Sequence, residues 1–229
     1  MLESQGDPVT ALPDSAPHLF HGHGTRSLRV AWLLAELGVA YRETVVPFPP
    51  RMKQPDFLGI NPAGSLPYFA HGAVRMTESV AICLYLVEIH GPTPLAVSPA
   101  EAGFADYLQF CFYGEATLTQ PLGTLLRYAI LEPPERRSPQ VAEDAKALFT
   151  RRLGPVERAV AETGYAAAGR FTVADMSLGY AFAFAARLGV ADLMPPGVQA
   201  YAERLQSRPA YRQAVSGDPR LGRIIGDEP

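Results

Sequence analysis

The sequence predicts an α/β unit followed by an all-α unit. Three observations carry that expectation. Short β-rich runs alternate with helical runs from His18 to about residue 90. Gly91-Pro-Thr-Pro94 and Ser98-Pro99 then punctuate the chain and mark a boundary. Beyond residue 100 only helical periodicity appears. The 229 residues are enough for two modest domains. The reading divides the chain into 17–92, 100–224 and a flexible tail over 1–16.

The elements of the first unit follow in order. His18-Leu-Phe-His21 reads as a buried strand, and Gly22 and Gly24 make the tight loop after it. From Ser27 to Leu37, Leu28, Ala31, Trp32 and Ala35 fill one helical face and Val30, Leu33, Leu34 and Leu37 a second. A helix apolar on two faces is expected to be buried on both, and Gly38 is its stop. Tyr41 to Val46 is a β-rich run ended by Pro47. Residues 51–60 read as a short helix or helical loop. Ser65 to Ala70 and Val74 to Met76 flank a His71-Gly72 turn, a hairpin. Thr77-Glu78-Ser79 opens a helix with Val80, Cys83, Leu84 and Val87 on one face. The order β-α-β-α-β-β-α is that of helices layered on a mixed sheet.

The second unit shows helical periodicity over 104–128, 139–163, 172–188 and 198–207. Pro133-Pro134, Gly164, Gly169 and Pro195-Pro196 break it, so a helical bundle is expected. Phe171-Thr-Val-Ala-Asp175 reads as a capping box, with Thr172 as the cap and Asp175 reaching back.

Composition excludes several function classes. At 48% hydrophobic and 19% charged, the chain is an ordinary globular one. A net charge of −3 gives no basic footprint for nucleic acid or an anionic membrane. No apolar stretch is long enough to span a bilayer. The first 17 residues carry Glu3, Asp7 and Asp14 and no continuous apolar run, so they do not read as a secretory signal. Cys83 and Cys111 form no C-x-x-C, and no metal is implied; a reducing, cytoplasmic compartment fits.

The most informative stretch is Asn61-Pro-Ala-Gly-Ser-Leu-Pro67, followed ten residues on by Thr77-Glu-Ser79. A proline in a strand removes a ladder donor. Either the strand is an edge, or a cis bond before Pro67 turns the Leu66 amide and carbonyl towards a ligand. Glu78 and Ser79 lie at a helix start, where free amides and the dipole favour an anion. Ser79 suits a carboxylate and Glu78 an ammonium, which together describe an amino-acid head group. A plain helix N-terminus capped by Thr77 or Ser79 is the other reading.

This N-P-x-G-x-L-P run with E-S at the start of an apolar helix resembles the glutathione-binding domain of glutathione transferases, and the order of elements resembles its thioredoxin-like fold. The resemblance is strong over residues 18 to 90 and weaker through the helical half. It implies a cis Pro67, a Leu66 backbone that pairs with the cysteinyl part of glutathione, and Glu78 and Ser79 on the γ-glutamyl head. It implies Lys53 on the glycyl carboxylate; an exposed lysine is the equal alternative. The loop His21-Gly-His-Gly-Thr-Arg-Ser27 is similar to the S-R-S-x-R-V loop of bacterial members, with Thr25 at the first serine.

The family's chemistry requires a thiolate, the nucleophilic form. A thiol with a pKa of about 8.5 is only ~3% ionised at pH 7. Thr25 is the expected hydroxyl donor. Ser27 either donates too or caps the first helix. His23 reads as a loop histidine or a polarising group, and Arg26 as a positive neighbour or a surface charge. Tyr107, Phe110 and Tyr113 lie on the first long helix of the second unit. They read either as core packing or, as the resemblance implies, as walls of a pocket for an apolar substrate. Residues 130–139 are a lid or a connector.

The expected function is conjugation of glutathione, a co-substrate, to an apolar electrophile by a homodimeric enzyme of the detoxification type. A non-catalytic glutathione-binding or interaction module is the rival. Glutathione-dependent peroxide reduction or ether cleavage at the same site is a third reading.

Overall fold

The computed structural model describes residues 15–218. The expected tail over 1–16 and the end of the second unit at 224 therefore lie largely outside the described residues. Strands β1 (His18–His21), β2 (Arg42–Val45), β3 (Tyr68–His71) and β4 (Val74–Met76) form one sheet in the order β2-β1-β3-β4. β1 runs parallel to β2 and antiparallel to β3, and β3 is antiparallel to β4. Helices α1 (Ser27–Leu37), α2 (Pro50–Lys53) and α3 (Ser79–Ile89) complete this part, with a 3-10 turn at Pro55–Gly59.

Strand alternation sorts the apolar residues between two faces. Leu19 and Phe69 are register partners, fully buried under α1 and α3. Phe20 and Tyr68, the next partners, face the other way and meet Phe57 beside Val46 and Leu66. The two apolar faces of α1 are both used. Every residue from Ser27 to Leu34 is buried between the sheet layer and the helical half. Gly38 ends the helix at φ 64°, and Val39 N–H closes onto Leu34 C=O at 3.0 Å.

The helical half holds α4 (Phe104–Phe112), α5 (Thr119–Leu126), α6 (Pro139–Arg151), α7 (Gly154–Thr163), α8 (Val173–Arg187), α9 (Pro196–Gln206) and α10 (Pro209–Val215). Helix α8 is its axis; every residue from Val173 to Ala185 is buried. The capping box forms as expected. Thr172 Oγ1 accepts from Ala174 N–H at 3.3 Å, and the Asp175 carboxylate accepts from Thr172 N–H at 2.7 Å. Asp175 also accepts from Ala166 N–H at 2.9 Å and from the Tyr201 hydroxyl, so it ties α8 to α9. Burial pushes its carboxyl above the usual range, and these donors only partly oppose it.

The expected single helix over 104–128 is interrupted. A π-helical turn at Tyr113–Leu118 separates α4 from α5, and a second at Arg127–Leu131 follows α5. Pro121 cannot donate to the carbonyl one turn back, and Thr117 C=O accepts from Arg152 Nη1 at 2.9 Å instead. Helix α10 is an addition to the expected elements.

Candidate functional site

The loop between β1 and α1 is held by its own hydroxyls. Thr25 Oγ1 lies 2.8 Å from Gly22 C=O, to which it donates, and 2.8 Å from Ser27 Oγ. Ser27 Oγ accepts from Gly22 N–H at 3.0 Å and lies 2.9 Å from His21 Nδ1. Ser27 is not the cap of α1: Arg26 takes that position, and the Ser27 hydroxyl closes the loop on itself. Burial lowers the His21 pKa more than the neighbouring acids restore it, so the imidazole is neutral. A neutral ring has one donor and one acceptor nitrogen, and its tautomer sets which of Nδ1 and the Ser27 hydroxyl donates in this bond. His23 sits edge-on to His21 at 5.3 Å.

The Leu66–Pro67 bond is cis. β3 begins only at Tyr68, so the Leu66 N–H and C=O stand outside the ladder. Asn61 builds the approach: its amide donates to Ser65 C=O at 2.8 Å and its Oδ1 accepts from Ala63 N–H at 3.1 Å. The Leu66 side chain lies against Gly22; a Cβ at residue 22 would be 2.5 Å from Leu66 Cδ1. This contact brings the Thr25 loop and the cis-proline turn together.

Helix α3 starts at Ser79, with Glu78 in extended conformation before it and no side-chain cap. The amides of its first turn are therefore the orphan donors of a helix start. The Glu78 carboxylate is exposed. Ser79 Oγ donates to Glu115 at 3.0 Å and accepts from Arg29 Nη1 at 3.3 Å. Lys53, at the end of α2, is exposed; its N–H donates to Pro49 C=O at 3.1 Å, while its ammonium makes no ion pair or hydrogen bond among the described residues. Its neighbour Arg51 is committed to Ala63 C=O at 2.6 Å.

Glu115, on the π turn, connects these pieces. It pairs with Arg26 of the loop and with Arg29 of α1. Arg29 is only 1% exposed. Its remaining donors reach Gly114 C=O at 3.2 Å, Thr119 Oγ1 at 3.1 Å and Ser177 C=O at 3.1 Å, and its guanidinium lies 4.2 Å above the Tyr180 ring. A buried charge needs this degree of satisfaction. Burial works against the Glu115 carboxylate, but Arg29 and Arg26 outweigh it and hold its pKa below the ordinary range. The π turn closes Thr119 N–H onto the Gly114 carbonyl, which also accepts from the Thr119 hydroxyl at 2.7 Å and from Arg29 Nη2 at 3.2 Å. Gly114 itself presses on α8, where a Cβ would lie 2.5 Å from the Ser177 backbone.

The three aromatic residues stand apart from this cluster. Tyr107 and Phe110 are 3% exposed and belong to the core. Tyr113 is half-buried and donates to Arg152 C=O at 2.8 Å. None of them lines the cavity of about 270 Å³ that opens beside Gly24. Segment 130–139 is clipped in place, since buried Glu132 pairs with Arg127 and Arg136. Arg29 and Glu115 were not singled out from the sequence as site residues. Their signal was there: an arginine inside the two-faced apolar run of α1, and a lone carboxylate after an aromatic run.

Residues 15–88 match the family described as "Glutathione S-transferase, N-terminal domain". Glutathione S-transferase A of Pleuronectes platessa is 28% identical over 165 residues, covering 70% of this chain and 72% of the relative. The crystal structure of glutathione transferase URE2P5 from Phanerochaete chrysosporium is 26% identical. It superposes with a TM-score of 0.77 over 90% of this chain and 95% of that one. The nitrogen regulation fragment of the yeast prion protein Ure2p shares the fold at 22% identity, with a TM-score of 0.75 over 91% and 99% of the two chains. The matched domain and the relatives support the glutathione transferase family. The architecture is a thioredoxin-like amino-terminal domain followed by a helical domain.

Proposed function

We propose that this chain is a glutathione transferase whose binding site lies where Leu66, the Thr25 loop and the start of α3 converge. The observation that carries the reading is this convergence: Gly22 abuts Leu66 before a cis proline, and Ser79, Glu115 and Arg26 link α3 to the same loop. In this reading the Leu66 amide and carbonyl pair with the cysteinyl backbone of glutathione. The α3 amides and Ser79 take the γ-glutamyl carboxylate, Glu78 its ammonium, and Lys53 the glycyl carboxylate. We assign the loop to the bacterial S-R-S-x-R-V type, with Thr25 in the place of the first serine.

The chemistry then rests on the thiol. Lowering its pKa by two units takes about 2.7 kcal/mol of preferential stabilisation of the thiolate. Thr25 supplies a hydroxyl donor once it turns from Gly22 C=O. Arg26 and Arg29 against Glu115 leave one net positive charge beside it. The thiol proton leaves to solvent, the sulfur forms a bond to an electrophilic carbon, and the leaving group departs with its electron pair. The protein contributes proximity and electrostatics.

The domain division at 17–92 and 100–224 belongs to the same proposal, as do a cytoplasmic setting, a detoxification role and a homodimer. The homodimer draws on the exposed apolar side chains Phe48, Met52, Leu58 and Ile60. The rival, a glutathione-binding or interaction module, draws on one specific observation. The Thr25 and Ser27 hydroxyls are both committed inside the loop. Peroxide reduction and ether cleavage would use the same thiolate on another electrophile.

The test is the ultraviolet absorbance of bound glutathione from pH 5 to 9 in the wild type and in Thr25→Ala. A thiolate band with a lowered pKa that the variant loses supports conjugation with Thr25 as activator. Glutathione that binds without ionising in either protein overturns conjugation in favour of the binding module. A band that survives in the variant moves the role to Ser27, His23 or backbone amides.

A further inference from the structure

Three contacts in the β1–α1 loop run in series. His21 Nδ1 lies 2.9 Å from Ser27 Oγ, Ser27 Oγ lies 2.8 Å from Thr25 Oγ1, and Thr25 Oγ1 lies 2.8 Å from Gly22 C=O. His21 is 3% exposed, Thr25 8% and Ser27 0%, so these groups must satisfy one another rather than water. At such separations each contact needs one proton between its two atoms, because facing lone pairs repel. The Gly22 carbonyl has no proton to give. The last contact therefore takes the Thr25 proton, the middle one takes the Ser27 proton, and the first is left to the imidazole. Only a ring that carries hydrogen on Nδ1 fills all three. With Nδ1 bare, two hydroxyl protons would have to serve three contacts.

The proton count gives the loop a direction. His21 donates to Ser27, Ser27 donates to Thr25, and Thr25 donates outward. The Ser27 oxygen accepts from the ring and from Gly22 N–H at 3.0 Å, so both its lone pairs are used. The Thr25 oxygen accepts from the Ser27 hydroxyl and, at 3.4 Å, from Ser27 N–H. It therefore meets any further partner only as a donor. A hydrogen bond donated to the charged form favours that form, so such a group favours ionised sulfur over the thiol. Donors in series polarise one another, which strengthens the last of them. Of the charged and titratable groups facing the ring, Glu43 on β2 and Asp218 favour its cation, while burial and His23 oppose it. A proton gained at Nε2 leaves Nδ1–H in place, so the direction is the same in both charge states.

We propose that His21 is a positioning residue for the reaction: as the Nδ1–H tautomer it donates into Ser27 and so fixes the Thr25 hydroxyl as a donor to the glutathione sulfur. This role rests on the conjugation reading with Thr25 as the partner of the thiol. When glutathione binds, the sulfur replaces Gly22 C=O as acceptor of the Thr25 proton, and the two inner bonds keep their direction. No bond to His21 is made or broken, and the thiol proton still leaves to solvent. Without the ring donor, the Ser27 proton is free to turn to Gly22 C=O at 3.3 Å, and the Thr25 oxygen regains an open lone pair.

The test reads the thiol pKa of bound glutathione by ultraviolet absorbance in wild type, His21→Leu, His21→Asn, Ser27→Ala and the double variant His21→Leu/Ser27→Ala. Each pKa unit is about a tenfold change in the ratio of thiolate to thiol at fixed pH. His21→Leu is expected to cut that ratio about three- to tenfold. His21→Asn, whose side-chain N–H can stand near the place of Nδ1–H, restores most of it. Ser27→Ala cuts the ratio at least as far, and adding His21→Leu to it does nothing more, because the link is already gone. Calorimetric titration with S-methylglutathione, which has no proton on sulfur, reads each variant's binding apart from ionisation. Three results overturn the role and leave conjugation standing: a ratio unmoved in His21→Leu, effects of His21→Leu and Ser27→Ala that add, or a fall matched by an equal loss of S-methylglutathione affinity. No thiolate in the wild type overturns conjugation and the role with it. Imidazole nitrogen-15 NMR of the wild type with glutathione bound reads the tautomer without any variant having to fold. A His21 ring protonated at Nδ1 supports the role, and a bare Nδ1 overturns it.

Discussion

Replacing Glu115 by Gln keeps the shape of the side chain and an acceptor for Ser79, but removes the charge that faces Arg29. Arg29 is 1% exposed and Glu115 18%, so the guanidinium has no water to turn to. Removing one partner of a buried ion pair costs about 3–5 kcal/mol. Arg29 keeps its bonds to Gly114, Thr119 and Ser177 and its place on the Tyr180 ring, which puts the expected loss at the lower end, about 3 kcal/mol. Urea unfolding followed by circular dichroism measures it. The loss should depend on pH. The folded pKa of Glu115 lies below its unfolded value near 4.5, so its contribution is fully present above that value and fades as pH falls through the folded one. Wild type and variant should therefore converge below pH 4.5. Arg29→Met and the double variant close a cycle, in which residues in direct contact are expected to couple by about 1–3 kcal/mol. A Glu115→Gln loss under about 1 kcal/mol, or one independent of pH, would refute the view that this pair holds the two domains in register.

Two further outcomes follow from the same geometry. Gly114→Ala drives a Cβ to 2.5 Å from the Ser177 backbone, which no side-chain rotation relieves, so a loss of about 1–3 kcal/mol is expected in thermal or urea unfolding. His21 is buried neutral with a lowered pKa, so the unfolded chain binds its proton first. Stability should fall as pH drops below about 6.5, and His21→Gln should flatten that slope between pH 7 and 5.5.

Much of this molecule is legible along the chain because its signals are local. The short apolar runs His18–His21 and Ser65–Ala70, a two-faced apolar helix ended by Gly38, and the Thr172–Asp175 box each need only a few neighbouring residues to be read. The run Asn61 to Pro67 with Glu78-Ser79 is likewise local. What it does not contain is the register between distant segments. Arg29 and Glu115 are 86 residues apart, and Glu115 stands on a π turn. Nothing in helical periodicity distinguishes that turn from a continuous helix. The aromatic residues of α4 read as core packing, with pocket walls as the reading the resemblance implies, because a 3.6-residue period says which side chains share a face, not what the face meets. The sequence alone therefore determined the elements of the first unit and their order, the helical character of the second, and the loop that carries Thr25. Only the tertiary structure decided that Tyr107 and Phe110 turn into the core and that the cavity beside Gly24 is walled by α8 and α10. That choice depends on how whole helices stack, a sum over many weak contacts between residues far apart in the chain.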